Sequence, residues 1–412
     1  MPAEPRTGVG VSAAPSARRF HWYLAGIGVG AVAMGLQVVL FPWILVGVLH
    51  ATPDRVGLAQ TAVLLPSLLL ILWGGALSDN RHLGTWLRAL FRLYALPSGV
   101  LLAAAVGGWL DYRLLLLFGI GYGTITAFVQ PAREGLLPQL CGADLQRAVA
   151  QSTFAQFAAQ SLGILAAGQL DRIGLPWLLG GQLLLFLAAA SLFGRAQPAH
   201  EGRQAGAREV PAGVLSGLRE VWQLPRLRAL MLVVSITGFF GFGAYLVAVP
   251  LMVREIYQGG SGLFSGVQLC FTLGVLVANL LFIRRGAARE RPGRMLIASL
   301  FGRGLILVAL TLQLPLALLF PAVLIWGMFS GQAITLGRIL THTLAPETHR
   351  SRVVSVYQLA FFGTAPIGAW LTGEVIAAAG VLPALALLGA CTMVAAALAT
   401  LTPVWRAEGE TR

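Results

Sequence analysis

The sequence predicts an all-α integral membrane protein, with twelve transmembrane helices arranged as two six-helix pseudo-repeats. Three observations predict it. The chain is 57% hydrophobic and only 11% charged. Its apolar residues fall in long unbroken runs, and its charges collect at alternate ends of those runs. So little charge cannot cover a soluble fold of this size, and long continuous runs exclude a β-barrel, whose strands are short and alternating.

A helix rises about 1.5 Å per residue, so about 20 residues cross the hydrocarbon. Twelve runs reach that length: 22–47, 56–77, 86–107, 113–131, 148–170, 175–194, 228–252, 262–283, 294–313, 315–336, 353–377 and 381–403. Residues 1–20 form a polar tail with Arg6, Arg18 and Arg19. The run after it is longer than a signal-peptide core and carries no cleavage pattern, so it reads as a retained first helix. The division is then a tail at 1–20, an N-terminal bundle at 21–194, a linker at 195–227, a C-terminal bundle at 228–403 and a tail at 404–412. In the linker, Val214, Leu218, Val221 and Trp222 stand against Ser216, Arg219, Glu220 and Gln223 at helical spacing. That pattern predicts a helix lying along the membrane interface.

All 29 basic residues are arginine, and the net charge is +13. One set of loops holds Asp54 and Arg55, Asp111 and Arg113, Asp171 and Arg172, and Arg254 and Glu255, which cancel. Arg303 and Glu374 lie inside runs, and every other charge lies at the opposite end. The whole surplus therefore faces one compartment. Positive charge marks the cytoplasmic side, so both termini are expected there, with the lipid bilayer as partner and no nucleic acid. Cys141, Cys270 and Cys391 are odd in number and give no disulfide or metal framework. The histidines at 21, 50, 82, 200, 342 and 349 have no metal-binding spacing, and no lysine exists to serve a phosphate-binding loop. The expectation is a protein without cofactor, and not an enzyme.

The two halves repeat. GALSDNRHL from Gly75 and GAARERPGR from Gly286 each carry an acid four residues after the glycine, Asp79 and Glu290. At an offset of 205 residues, Arg147 matches Arg352, Gly163 matches Gly368 and Gly168 matches Gly373. Parallel repeats of this kind bracket a central path in transporters.

At GGALSDNRHLG the chain resembles the major facilitator superfamily, whose signature Gly-x-x-x-Asp-Arg-x-Gly-Arg lies between helices two and three. Gly75 and Asp79 hold the first and acidic positions; Asn80 replaces the following arginine, Arg81 stands one place later and Arg88 is the distal base. The second copy keeps the spacing better, as Gly286, Glu290, Arg291, Gly293 and Arg294. QPAREGLLPQL, from Gln130 to Leu140, and the segment from Ala345 to Val375 are similar to the subfamily that includes the enterobactin exporter. The resemblance covers nearly the whole chain. It implies alternating access, with Gly75, Asp79, Arg81, Arg133, Arg147, Arg350, Glu290, Arg294 and Arg352 as gate elements. A carboxylate at a helix end can accept backbone N–H groups and pair with arginine in one conformation and lose both in another.

Polar residues inside a membrane face protein or water. On helices that the family uses to line its cavity, those residues are Gln37, Gln60, Thr61, Thr124, Thr126, Gln130, Gln156 and Gln160 in the first half. In the second they are Tyr245, Gln268, Asn279, Gln332, Tyr357 and Gln358. Each could equally make a hydrogen bond between helices. Glu374 and Arg303 are the candidates for ion coupling. Glycines at 26, 28, 30, 238, 241 and 243 predict close helix approach, and Pro42, Pro250 and Pro366 predict kinks. The resemblance implies a secondary transporter in a bacterial inner membrane, a monomer that exports a small amphipathic solute, siderophore-like or drug-like, by proton antiport. The chain departs from the family's proton-coupled exporters in having no acid in its first span and no Gly-Pro motif near Gln160. An importer or lipid transporter of the same fold, and a receptor that does not transport, stand as alternatives.

Overall fold

The apolar runs fold as helices because a bilayer offers no partner for a free backbone N–H or C=O, so each segment satisfies its own. A computed structural model describes residues 17–79, 82–141, 145–196, 218–284, 291–346 and 350–405. Among them run twelve long helical segments. In the first half these are α1 (Ala17–Trp43, continued by a π-helical turn Ile44–Val48), α2 (Pro53–Asp79), α3 (Leu83–Gly107), α4 (Tyr112–Cys141), α5 (Leu145–Ala167) and α6 (Leu175–Arg195). In the second they are α7 (Pro225–Ile256), α8 (Ser261–Arg284), α9 (Pro292–Leu310), α10 (Leu316–Leu344), α11 (Arg350–Ala379) and α12 (Val381–Ala399). Ten of them are long and apolar enough to cross a membrane; α2 and α5 are the other two. Of the polar residues of α5, Gln156 and Gln160 are half-buried, while Gln151 is exposed.

Several helices outrun their predicted spans. The fourth extends to Cys141 and the tenth to Leu344, and the seventh starts at Pro225. Hydropathy marks where the hydrocarbon ends; the backbone hydrogen-bond ladder continues past it. The helical end of the linker is seen at 218–223, with Trp222 exposed and Arg228 5.8 Å from its ring centroid. The rest of the predicted interfacial helix lies outside the described residues. Exposed Leu69, Leu117, Trp177 and Leu312 would be liabilities in water but suit a lipid-facing belt.

The repeat is written into the backbone. Gly35 of α1 lies against Gln160 O and 3.0 Å (from its would-be Cβ) from Gly163 Cα of α5; Gly243 of α7 lies against Ala365 O of α11, and Gly368 against Phe239 O. These are corresponding positions, and a methyl group at either crossing would strike backbone. Pro42 and Pro250 each precede a π-helical turn, Ile44–Val48 and Met252–Ile256. Proline removes a donor and crowds the carbonyl four residues back, and the helix relaxes by widening its register. The hairpins at the end away from the chain termini, the far end, then turn at matched positive-φ residues: His50 and Gln258, Gly108 and Gln313, Gly174 and Gly380. Of the other predicted close-approach glycines, Gly26 meets Phe193 and Gly30 meets Phe91, while Gly28 meets nothing within 4 Å.

Candidate functional site

The two halves are clasped at the far end. Along one seam, Gly57 of α2 faces α11, where an added Cβ would sit 2.8 Å from Ala369 O and 2.9 Å from Gly373 Cα. Thr61 Oγ1 lies 2.9 Å from Pro366 O, and Gln60 Nε2 donates to Leu246 O at 3.4 Å. The corresponding seam joins α5 to α8, with Gly168 against Ser265. Trp43 stacks on Phe264 across the middle, with ring centroids 5.6 Å apart.

The second seam carries a polar latch. Asp171, on the single turn Leu170–Ile173 after α5, reaches the first residue of α8 in the other half. Its Oδ2 accepts the Ser261 N–H at 2.8 Å and lies 2.9 Å from Ser261 Oγ. The first N–H groups of a helix have no partner within it, and a carboxylate there is favoured by the helix dipole. Gly260 makes room for the carboxylate, since a side chain there would collide with Asp171. On the other seam the equivalent helix start is Pro53, which has no N–H to satisfy. This explains why the latch is one-sided. Between the seams, Arg254 of α7 donates to Val46 O and to His50 Nδ1, the latter at 2.6 Å, so the end of α1 is tied to the end of α7.

Toward the terminus side, hydrogen bonds tie helices together within each half. Arg133 is buried and donates from Nη2 to Gln156 Oε1 at 2.7 Å, while its carbonyl accepts the Tyr23 hydroxyl at 3.0 Å. This joins α1, α4 and α5. Gln130 Nε2 donates to Glu134 Oε1 at 2.8 Å on the exposed face of α4. Tyr357 donates to Ile334 O at 3.2 Å in the second half.

The polar residues picked out in the sequence divide into three groups. Gln60 and Thr61 sit on the seam between halves. Arg133 with Gln156, and Tyr245 with Gln268, form pairs; Tyr245 donates to Gln268 Oε1 beside Trp326 and Phe271. Others are engaged by neighbouring helices. Gln37 accepts from Gln182 Nε2 of α6 at 2.8 Å, Thr126 lies 2.8 Å from Tyr94 OH of α3, and Gln332 accepts from Ser299 of α9 at 3.0 Å. Asn279 Oδ1 accepts from Thr335 at 2.6 Å, and Thr124 bonds its own helix. Gln160 and Gln358 are half-buried. Glu374 accepts from Trp370 one turn back, on an exposed face. Arg147 and Arg352 are exposed, and Arg294 lies 5.4 Å from the Trp405 ring centroid. The side chains of Gly75, Asp79, Arg81, Glu290 and Arg350 lie outside the described residues.

Asp171, Ser261, Arg254, His50 and Gly57 escaped the sequence reading because nothing local distinguishes a loop charge from a latch. Gln60 and Thr61, picked out as cavity candidates, and Gly168 and Gly373, noted as repeat mates, were the sequence's pointers to the seams.

A family model described as Major Facilitator Superfamily matches residues 23–369. The chain is 25% identical over 369 residues to the multidrug efflux pump Tap of Mycolicibacterium fortuitum, covering 84% of this chain and 86% of that one. It is 21% identical over 345 residues to a staphyloferrin A transporter of Staphylococcus aureus, covering 82% and 84%. Among solved structures, the nucleoside transporter NupG superposes with a TM-score of 0.72 at 13% identity, covering 93% of this chain and 98% of that one. A bacterial homologue of the iron transporter ferroportin in an inward-facing state superposes at 0.69 with 14% identity, covering 93% and 99%.

Proposed function

The chain belongs to the Major Facilitator Superfamily and is a transporter, and from that premise we propose that it exports a small amphipathic solute in exchange for protons. The observation that carries the reading is the clasp between the halves at the far end, the contact expected of one end state of alternating access. With the termini cytoplasmic, as the arginine asymmetry favours, this state receives solute from the cytoplasm. Breaking the Asp171–Ser261 and Arg254 contacts and closing the terminus side then releases it outside. Export, rather than import, is supported by the relative named as a multidrug efflux pump, and a siderophore-like or drug-like cargo by both relatives. The protein acts as a monomer in a bacterial inner membrane. Proton exchange supplies the energy, and gate duty falls to Asp79, Arg81 and Glu290 on the terminus side.

The test uses inverted membrane vesicles with a respiration-driven pH gradient and an acid-quenched dye. Siderophore-like and drug-like compounds are added in turn, with Gly57→Leu vesicles as the control. Compound-specific dequenching, lost in the variant, is the expected result. Accumulation of the compound in right-side-out vesicles, or solute movement with no proton flux, would overturn the direction or the coupling respectively.

A further inference from the structure

Arg303 of α9 is 1% exposed, and neither its Nε nor its Nη2 has a hydrogen-bond partner among the described residues. Its guanidinium is pressed against Gly241 of α7, where any side chain would collide with Nη1. Gly241 lies within a π-helical stretch, Thr237–Gly243, near the middle of α7. Among the described residues of this half the acids are Glu220, Glu255 and Glu374. Glu255 is fourteen residues along α7 from Gly241, or about 20 Å at helical rise. Glu374 is on an exposed face with Trp370. A buried cation with no counter-charge is among the costliest features a fold can keep, and water can satisfy its donors without neutralising it.

The two orphaned groups are not a random pair. Nε–H and Nη2–H lie side by side in the guanidinium plane and form the side-on fork that receives both oxygens of a carboxylate. A second orphaned donor lies nearby in the fold. Trp326 Nε1 of α10 is buried without a partner among the described residues, and its ring meets Tyr245, one turn along α7 from Gly241, at 5.2 Å. Arg303 and Trp326 thus both abut α7 near mid-membrane, the depth at which carriers of this architecture bind solute.

We propose that Arg303 is the anchor of a carboxylate-binding site in the C-terminal half, and that the carboxylate belongs to the transported solute. The Nε/Nη2 fork takes the two oxygens, and Gly241 gives the guanidinium its seat. The fork is enclosed in this state, so the carboxylate reaches it when α7 shifts, and the π-helical stretch gives α7 a register that can slide. Assigning the carboxylate to the solute rests on the transport reading above; the existence of the site does not.

Binding is therefore tested without transport. The purified full-length protein is melted in detergent with increasing sodium benzoate, and with benzamide as the neutral isostere. Parallel arms use sodium acetate and sodium chloride. Benzoate should raise the melting temperature saturably and benzamide should not. Arg303→Lys, which keeps the charge but loses the fork, should weaken benzoate at least tenfold, and Arg303→Gln should abolish the shift. Gly241→Ala, which leaves Arg303 in place but unseats it, should weaken it as well. An acetate response as strong as that of benzoate would support the site with a small free carboxylate as occupant; a benzoate-only response would support the solute. Equal shifts with benzoate and benzamide, a chloride response matching both carboxylates, or wild-type benzoate affinity in Arg303→Lys would overturn the proposal. If the Arg303 variants fail to fold, the benzoate–benzamide comparison and Gly241→Ala still decide it.

Discussion

Asp171→Ala isolates the latch. In the clasped state the substitution removes the carboxylate that accepts the Ser261 N–H at 2.8 Å. Ser261 is fully buried there, so its N–H loses its partner without gaining water. In the opposite state the halves part at this end and the same N–H is hydrated. The penalty therefore falls on the clasped state alone. An N-cap is worth about 1 kcal/mol and a hydrogen bond to a charged group about 1.5–3 kcal/mol. Because Asp171 itself is exposed, solvent recovers part of this, leaving about 1–2 kcal/mol. Since about 1.4 kcal/mol is tenfold, the ratio of far-end-open to clasped molecules should rise about 5- to 30-fold. Spin labels at Trp109→Cys and Leu312→Cys, in a background without Cys141, Cys270 and Cys391, report it. Both sites are exposed and lie in corresponding far-end hairpins of the two halves. Asp171→Ala should add a longer-distance population, and Asp171→Asn, which keeps an acceptor oxygen, a smaller one. Distance distributions that superimpose for wild type and Asp171→Ala would refute the reasoning.

Three further outcomes are expected. Gly57→Leu drives a side chain into Ala369 and Gly373 across the seam; transport should fall at least about tenfold while the melting temperature holds, because the damage lies between halves rather than within one. Gly35→Ala puts a methyl group onto the Gln160 carbonyl and should cost about 1–3 kcal/mol in thermal unfolding, whereas Gly28→Ala, with open space around it, should be neutral or stabilising by up to about 1 kcal/mol. Gln37→Leu alone should destabilise by about 1 kcal/mol, since buried Gln182 Nε2 loses its 2.8 Å acceptor and keeps only Ala33 O at 3.2 Å, while the Gln37→Leu, Gln182→Leu double variant should be near neutral in unfolding and transport, which a melting curve and a flux assay together check.

The sequence was enough for the fold class and the repeat. A bilayer forces each apolar run of about 20 residues to be a helix, and run length, arginine placement and the Gly163–Gly368 correspondence are all local properties of the chain. Pairing was not legible. Gln37 and Gln60 look alike in sequence, yet one is held inside the first half by Gln182 and the other reaches across to Leu246. Nor could any pattern along one helix mark Asp171 as the cap of another helix ninety residues away, or show that two Arg303 donors find no partner among the described residues. Hydropathy and spacing report how a residue sits on its own helix; hydrogen bonds and orphaned charges depend on which helix stands opposite and at what height. Only the packing of the two halves sets that, which is why the transporter fold could be read from the chain while its latch and its buried cation had to be found in three dimensions.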